Sequence, residues 1–165
     1  MQDPDLKISD FINADCIFLN VDLPGKEAVL RFLADKGREM GLVSDADLLF
    51  RGFMEREQLM STGVGSGLAF PHTVTGERSE AAVLIVRLSK PVFFDSMDDR
   101  DVDLVLAVLI PESNQTQHLQ ILARVSRLCR KSEFLSKIRR GKDPVTVKKD
   151  IREIEEEFNG FVYQA

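Results

Sequence analysis

Residues 61–72 read STGVGSGLAFPH and combine a glycine-rich loop, an apolar triplet, a proline and a histidine. The glycines at 63, 65 and 67 permit positive φ and let backbone N–H groups approach a ligand or a crossing chain. The triplet at 68–70 predicts a short buried strand, which Pro71 should end because proline fixes φ and has no N–H to donate. The run therefore predicts His72 at the end of a buried strand, beside a flexible loop, where an imidazole nitrogen can meet a partner.

This stretch also has simpler interpretations. A single histidine is usually an ordinary surface or core residue. The alternating glycines are no P-loop, because no Lys-Ser or Lys-Thr follows, and Leu68 and Phe70 stand where the dinucleotide spacing needs its third glycine. Spacing alone leaves a tight turn and an anion-binding nest equally open. The joint occurrence of loop, triplet, proline and histidine favours a functional site.

A family resemblance rests on two blocks of sequence. Residues 56–59 (REQL) followed by 61–72 resemble the active-site signature of the second type of phosphotransferase-system IIA domains, the fructose, mannitol and nitrogen-regulatory group. A second block follows in the same order: Lys90-Pro91-Val92, Phe94-Asp95, Val102-Asp103-Leu104-Val105, Leu109-Ile110-Pro111 and His118-Leu119. The resemblance spans residues 6 to 158, nearly the whole chain.

The resemblance implies a phosphocarrier. In that family the histidine after the proline, here His72, carries a phosphoryl group, in the tele form on Nε2. The donor is the phosphohistidine of the small carrier HPr or a relative, supplied ultimately by phosphoenolpyruvate. The acceptor is a IIB domain or, in the nitrogen-regulatory branch, no sugar at all but a regulated partner protein. No cofactor is implied.

Two further side chains are candidates for holding the phosphoryl oxygens. His118 follows Pro111 and a polar stretch, which predicts the opening turn of a helix, where free N–H groups and a positive partial charge favour anions. Taken on its own, it is more often a solvated helix residue. Arg56 is either an exposed cation near a helix end or a guanidinium fork that matches phosphoryl oxygens. The resemblance implies the functional role for both.

The glycine-rich loop supplies the remaining candidates. The hydroxyls of Thr62 and Ser66 can donate hydrogen bonds, and relatives often carry asparagine at the position of Ser66. The backbone amides around Gly63, Gly65 and Gly67 complete the predicted phosphate-binding loop. A metal site built from the two histidines and a cysteine has no support in the ligand spacings.

Composition fits one soluble domain over residues 1–165. The apolar share is 44% and the charged share 30%, an ordinary globular balance. The net charge of -5 argues against a nucleic-acid surface. No apolar run approaches membrane-helix length, and the amino terminus lacks the features of a signal peptide, so we expect a cytoplasmic protein. Cys16 and Cys129 stand in no metal or CxxC spacing and are expected to be buried.

Helical and strand patterns alternate along the chain and predict a mixed α/β sheet between helical layers, a single three-layer domain. This agrees with the phosphotransferase/anion-transport-protein-like fold that the resemblance implies. Strands are predicted at 16–21, 68–70, 82–88 and 104–110, the last two aliphatic enough to be covered on both faces. Helices are predicted at 6–12, from 24–26 to Gly37 or Gly41, from Ser44 to 59, from 114 to 131, from Ser132, and from Asp143-Pro144, the last with the stripe Val147, Ile151, Ile154 and Phe158.

The branch of the family is a further hypothesis. The sequence carries no fused IIB, IIC or carrier module, which favours a stand-alone nitrogen-regulatory IIA protein. A sugar-specific IIA component of the fructose or mannitol type is the alternative. A non-enzymatic module that only binds an anion or a protein is the second alternative.

Overall fold

A computed structural model describes residues 6–163, with side chains described except at position 115 and from 158 onward. The predicted contribution of Phe158 to the last helical stripe therefore falls outside the described side chains, as do residues 1–5 and 164–165 of the predicted domain. Within the described range, no helix is both long enough and apolar enough to cross a bilayer.

Within residues 6–163 the sheet has six strands. They are β1 Ile17–Val21, β2 Gly63–Gly65, β3 Leu68–Ala69, β4 His72–Thr75, β5 Ala82–Val92 and β6 Val102–Pro111. The order is β1-β5-β6-β3-β2, and β4 also pairs with β6. Because β6 is antiparallel to β5 but parallel to β3 and β4, the sheet is mixed, as predicted.

In the part of the chain that the structure describes, five α-helices cover the sheet. They are α1 Lys26–Glu39, α2 Ala46–Leu59, α3 Gln115–Cys129, α4 Ser132–Arg140 and α5 Pro144–Tyr163, and two short 3-10 turns, Ile8–Phe11 and Ala14–Cys16, precede β1. Alternate residues of β5 and β6 enter two separate cores. Ile85 and Leu106 pack with α3, α4 and α5, whereas Val86 and Val105 pack with α1 and α2. This confirms the three-layer arrangement and explains the continuous aliphatic runs, since both faces of these strands are buried.

The amino-terminal segment is held differently from the prediction. An α-helix at 6–12 was expected, but the segment forms a single 3-10 turn because a side chain from α5 takes its amides. The carboxylate of Glu155 is fully buried and accepts from the backbone N–H groups of Ile8 (2.8 Å) and Ser9 (2.9 Å). Arg124 Nε lies 3.4 Å from the same carboxylate. The buried acid thus fastens both ends of the described chain together.

The start of α2 is shifted by one residue from the prediction at Ser44. The Asp45 side chain caps the helix by accepting from the Leu48 N–H at 3.0 Å. Ser44 instead donates its backbone N–H to Glu77 at 3.0 Å. The predicted cap at Asp143 is confirmed, since its carboxylate accepts from the Thr146 N–H at 2.8 Å.

Candidate functional site

His72 lies on a strand rather than after one. β3 pairs in parallel with β6, the Pro71 carbonyl accepts from the Val108 N–H at 2.9 Å, and β4 then begins with His72 opposite Val108. The prediction that Pro71 ends the strand is confirmed, since β3 stops at Ala69, but His72 then opens a new strand that the sequence did not predict. Proline interrupts the pairing where it has no N–H to contribute, and the chain rejoins the same neighbour one residue later.

The two nitrogens of the His72 ring have different partners. Nδ1 lies 3.1 Å from the Phe70 carbonyl oxygen. A carbonyl only accepts, so Nδ1 carries the hydrogen and Nε2 holds the lone pair. The Arg56 Nε–H donates to Nε2 at 3.2 Å. The reactive lone pair thus faces a guanidinium.

The surroundings of His72 keep its ring neutral. The ring is half-buried, and burial lowers the pKa of His72 below its ordinary value of 6.5. The nearby Arg56 and His118 lower this pKa further, while the hydrogen bond to the Phe70 carbonyl opposes the shift. At neutral pH the imidazole is therefore an unprotonated nucleophile.

Arg56 is brought to His72 by close packing of α2 on β4. A Cβ at Gly52, one turn earlier on α2, would lie 2.5 Å from Thr73 Oγ1, so only glycine lets the helix come this near. Arg56 lies on the same helix face as Gly52, four residues on, and so reaches the residue before Thr73. Its Nη1 also donates to the Met60 carbonyl at 2.8 Å, which fixes the plane of the guanidinium.

His118 lies in the first turn of α3, as predicted. Its ring centroid is 6.4 Å from that of His72, and the two rings are inclined at 58°. The helix is capped by the Asn114 side chain, which accepts from the Gln117 N–H at 3.0 Å. The positive end of the helix dipole therefore lies next to His118. The structure brings His72, His118 and Arg56 together.

The glycine-rich loop forms a hairpin turn rather than a nest around His72. Ser66 (φ 57°) and Gly67 (φ 77°) join β2 to β3 with the two positive φ angles of a type I′ turn. The Ser66 N–H donates to Asp98 at 2.9 Å, and its carbonyl accepts from Arg139. The Ser66 amide of this turn is thus directed at Asp98.

The turn is also distant from His72. Leu68 pairs with Leu104 and His72 with Val108, four residues further along β6. At a rise of ~3.3 Å per residue this separates His72 from the turn by about 13 Å. The structure does not bring Gly65, Ser66 or Gly67 to His72.

Thr62 and Gly63 lie nearer the site but are engaged elsewhere. Thr62 is only 3% exposed, and its hydroxyl donates to the Glu57 carboxylate. A Cβ at Gly63 would lie 3.0 Å from the Ser96 Cα, so the chain passes too close to its neighbour for a side chain. Both residues shape the segment between α2 and β3 rather than face Nε2.

An open cleft of about 970 Å³ runs between α2 and β4, and His72 and Arg56 belong to its lining. Within residues 6–163, no group of three or more His, Cys, Asp or Glu side chains is arranged to hold a metal ion. Burial raises the pKa of the Cys129 thiol to about 12, so this thiol is no metal-binding thiolate at neutral pH. The chemistry on offer is an imidazole nucleophile among cationic and N–H donors.

Comparison with known proteins identifies the family. Residues 10–154 match the family model described as "Phosphoenolpyruvate-dependent sugar phosphotransferase system, EIIA 2". The chain belongs to the EIIA-2 family. A nitrogen regulatory protein of Bradyrhizobium diazoefficiens is 33% identical over 138 residues, which are 84% of this chain and 90% of the relative. A fructose-specific EIIA component of Haloferax volcanii is 32% identical over 149 residues, or 90% of this chain and 97% of the relative.

Solved structures share the EIIA-2 fold. The nitrogen regulatory protein IIA-Ntr of Neisseria meningitidis has a TM-score of 0.80 at 24% identity, covering 87% of this chain and 98% of its own. Enzyme IIA mannitol of Escherichia coli, in its complex with phosphorylated enzyme IIB mannitol, has a TM-score of 0.71 at 19% identity, covering 86% and 96%. At these identities the likeness concerns the fold.

Three groups around His72 and Arg56 were not predicted from the sequence. The carbonyls of Phe70 and Met60 orient His72 and Arg56, and backbone groups leave no mark in residue types. The third is the buried carboxylate of Glu57. A signal for it existed, because Leu49, Phe53 and Glu57 recur every four residues and place the acid on the buried face of α2.

Proposed function

We propose that the chain is a histidine phosphocarrier in which His72 Nε2 takes a phosphoryl group from the phosphohistidine of an HPr-like protein. The single observation that carries this proposal is the orientation of the ring. Its Nδ1–H is engaged by the Phe70 carbonyl, and its Nε2 lone pair faces the cleft-lining Arg56. The tele phosphohistidine predicted from the sequence is the product of attack by Nε2.

The transfer exchanges one N–P bond for another. The Nε2 lone pair attacks phosphorus in line with the leaving imidazole of the donor, the donor's N–P bond breaks, and that imidazole keeps the electron pair. Positioning and electrostatic stabilisation provide most of the catalysis in such transfers. The Arg56 Nε–H must leave Nε2 for attack to occur and then donates to a phosphoryl oxygen. His118, with its ring centroid 6.4 Å away, supplies an N–H donor from the other side.

The surface around His72 suits a protein donor. Leu59 and Met60 at the end of α2 are 83% and 68% exposed, and Leu119, beside His118, is 70% exposed. Large exposed apolar side chains grouped near a reactive residue are typical of protein docking sites. The acceptor in turn is a IIB domain or a regulated protein.

Phosphorylation tests the proposal directly. The protein is incubated with HPr, the first-stage kinase and phosphoenolpyruvate, and an acid-labile phosphate on Nε2 is sought by ³¹P NMR. His72→Ala should lose the phosphate entirely. His118→Ala is the matched control, since the chain has two histidines and this variant keeps the acceptor. A wild-type protein that takes no phosphate refutes the proposal and favours a binding module.

We assign the carrier to the regulatory branch. The nitrogen regulatory relatives, among them the Bradyrhizobium diazoefficiens protein at 33% identity, support this choice. The sugar-specific alternative is favoured by the 32% identity to the Haloferax volcanii fructose component over 90% of this chain. Membranes that contain a IIB–IIC pair separate the two. Stimulation of fructose or mannitol phosphorylation by the phosphorylated protein refutes the regulatory assignment.

A further inference from the structure

The carboxylate of Glu57 is a buried charge that the proposed transfer does not use. Only 5% of its side chain is exposed. It accepts the Thr62 backbone N–H at 3.1 Å and the Thr62 hydroxyl, and Lys26 Nζ lies 2.8 Å from Oε1. Burial of a carboxylate costs desolvation free energy, and this cost is offset only where well-placed donors and a counter-charge satisfy its oxygens. The arrangement joins α1, α2 and the segment that follows α2.

That segment connects Glu57 to the imidazole. The Thr62 carbonyl accepts from the Phe70 N–H at 2.8 Å. The Phe70 carbonyl in turn receives the His72 Nδ1–H at 3.1 Å. Two hydrogen bonds therefore separate the threonine held by Glu57 from the nitrogen that fixes the tautomer of His72.

Arg56 depends on the same segment. Neighbouring residues on an α-helix point about 100° apart, so Arg56 reaches His72 while Glu57 points into the protein. The Met60 carbonyl, two residues before Thr62, accepts from Arg56 Nη1 at 2.8 Å. One short stretch of backbone thus sets the position of both the nucleophile and the guanidinium.

We propose that Glu57 is a positioning residue for phosphoryl transfer at His72. It acts through Thr62 and Phe70, and its ion pair with Lys26 holds it in place. The inference rests on the proposed function, which it deepens by naming what holds the Nδ1–H tautomer. It requires a carboxylate in particular. An amide at this position would direct its NH₂ group at a donor and leave a buried partner unsatisfied.

Two substitution pairs test this role. Glu57→Gln should lower the rate of phosphoryl acceptance from phosphorylated HPr about 10- to 100-fold, since displacement of a reacting group by about 1 Å costs up to that factor. Thr62→Val removes the hydroxyl without changing the size of the side chain and should also slow the reaction, whereas Thr62→Ser keeps the hydroxyl and should restore it. Glu39→Gln, at an exposed ion pair with Lys36, is the matched control.

The second readout is the tautomer of His72. ¹⁵N chemical shifts of the unphosphorylated imidazole, recorded above its pKa, should report the Nδ1–H form in the wild type and a mixture of tautomers in Glu57→Gln and Thr62→Val. A slower rate with an unchanged tautomer overturns the proposed route through Phe70, as does an unchanged rate. Should Glu57→Gln not fold, the Thr62 pair decides by the same criteria.

The experiments can refute the proposed function and the role of Glu57 independently of each other. If the wild type accepts no phosphate, the proposed function is refuted, and the tautomer comparison on the unphosphorylated proteins still decides the role of Glu57. If the wild type accepts phosphate and the variants match it in rate and tautomer, only the inference about Glu57 is refuted.

Discussion

Replacement of Arg56 by glutamine has two opposed effects on phosphoryl acceptance. In the resting site the Arg56 Nε–H occupies the Nε2 lone pair at 3.2 Å, and this hydrogen bond must break before attack. Its removal should favour the reaction by ~1 kcal/mol, the net worth of a typical hydrogen bond. Arg56→Gln also removes a charged donor from the transition state, which costs ~2.7–4 kcal/mol by analogy with the loss of an oxyanion-hole donor.

The second effect is larger, so the variant should be slower. The net cost of ~2–3 kcal/mol corresponds to a rate roughly 30- to 160-fold lower, at about 1.36 kcal/mol per factor of ten. The rate of Arg56→Lys should lie between those of the wild type and Arg56→Gln, because lysine keeps the positive charge but lacks the paired N–H donors of the guanidinium. The assay is the initial rate of phosphoryl transfer from phosphorylated HPr at a fixed, subsaturating concentration.

Arg51→Gln is the control for the Arg56 series. Arg51 is an exposed arginine of α2 that lines the same cleft, so this variant has the same charge change. It should react at nearly the wild-type rate. A rate for Arg56→Gln within twofold of this control refutes the assignment of Arg56 as the clamp on the phosphoryl group.

Four further outcomes are expected. His118→Ala should slow phosphoryl acceptance about tenfold, since it removes one hydrogen bond to the phosphoryl group, with a typical net worth of ~1–1.5 kcal/mol. The NMR titration midpoint of His72 should lie below 6.5, because burial lowers its pKa in the folded protein. The free energy of unfolding should therefore fall as pH drops below ~6.5, because the unfolded chain binds a proton there more readily than the folded protein does. Glu155→Gln should lose ~2–4 kcal/mol of stability in urea unfolding, because two buried amides and an arginine lose a charged partner. Gly63→Ala should be destabilised by ~1–3 kcal/mol in the same assay, because the new methyl group meets the Ser96 backbone.

Each of these predictions is contradicted by a specific result. A His118→Ala rate equal to wild type removes that residue from the site. A His72 midpoint at or above 6.5 contradicts the effect of burial, and the matching loss of stability with acid should be absent in His72→Gln. Unfolding midpoints of Glu155→Gln or Gly63→Ala equal to that of the exposed-pair variant Glu39→Gln contradict the structural roles assigned to them.

Sequence patterns predicted the layers and the residues that carry charge or a lone pair. The aliphatic runs of β5 and β6 predict strands that are buried on both faces of the sheet, which places the sheet between two layers of helices. His72, His118 and Arg56 were recognisable because reactive side chains differ chemically from their surroundings. The grouping of the three in space followed from the family resemblance and not from spacing.

Long-range pairing accounts for what the sequence did not predict. Residues 72–75 have no distinctive strand pattern, and they form β4 only because β6 offers a free edge beyond β3. The sequence left two structures possible for the glycine-rich loop, a turn and an anion-binding nest. The turn forms because Asp98, more than thirty residues later in the sequence, accepts the Ser66 N–H. Asp45 replaced Ser44 as the helix cap because Glu77 engages Ser44, again a distant partner.

Pairing of β4 with β6 from His72 to Thr75 anchors the main chain beneath the imidazole. A phosphoryl group adds roughly two negative charges to this anchored side chain. The loaded and unloaded proteins should then present nearly the same contour, and a partner must tell them apart by electrostatic potential. Discrimination between the two forms should accordingly weaken as ionic strength rises, because mobile ions screen an exposed charge but leave a contour unchanged.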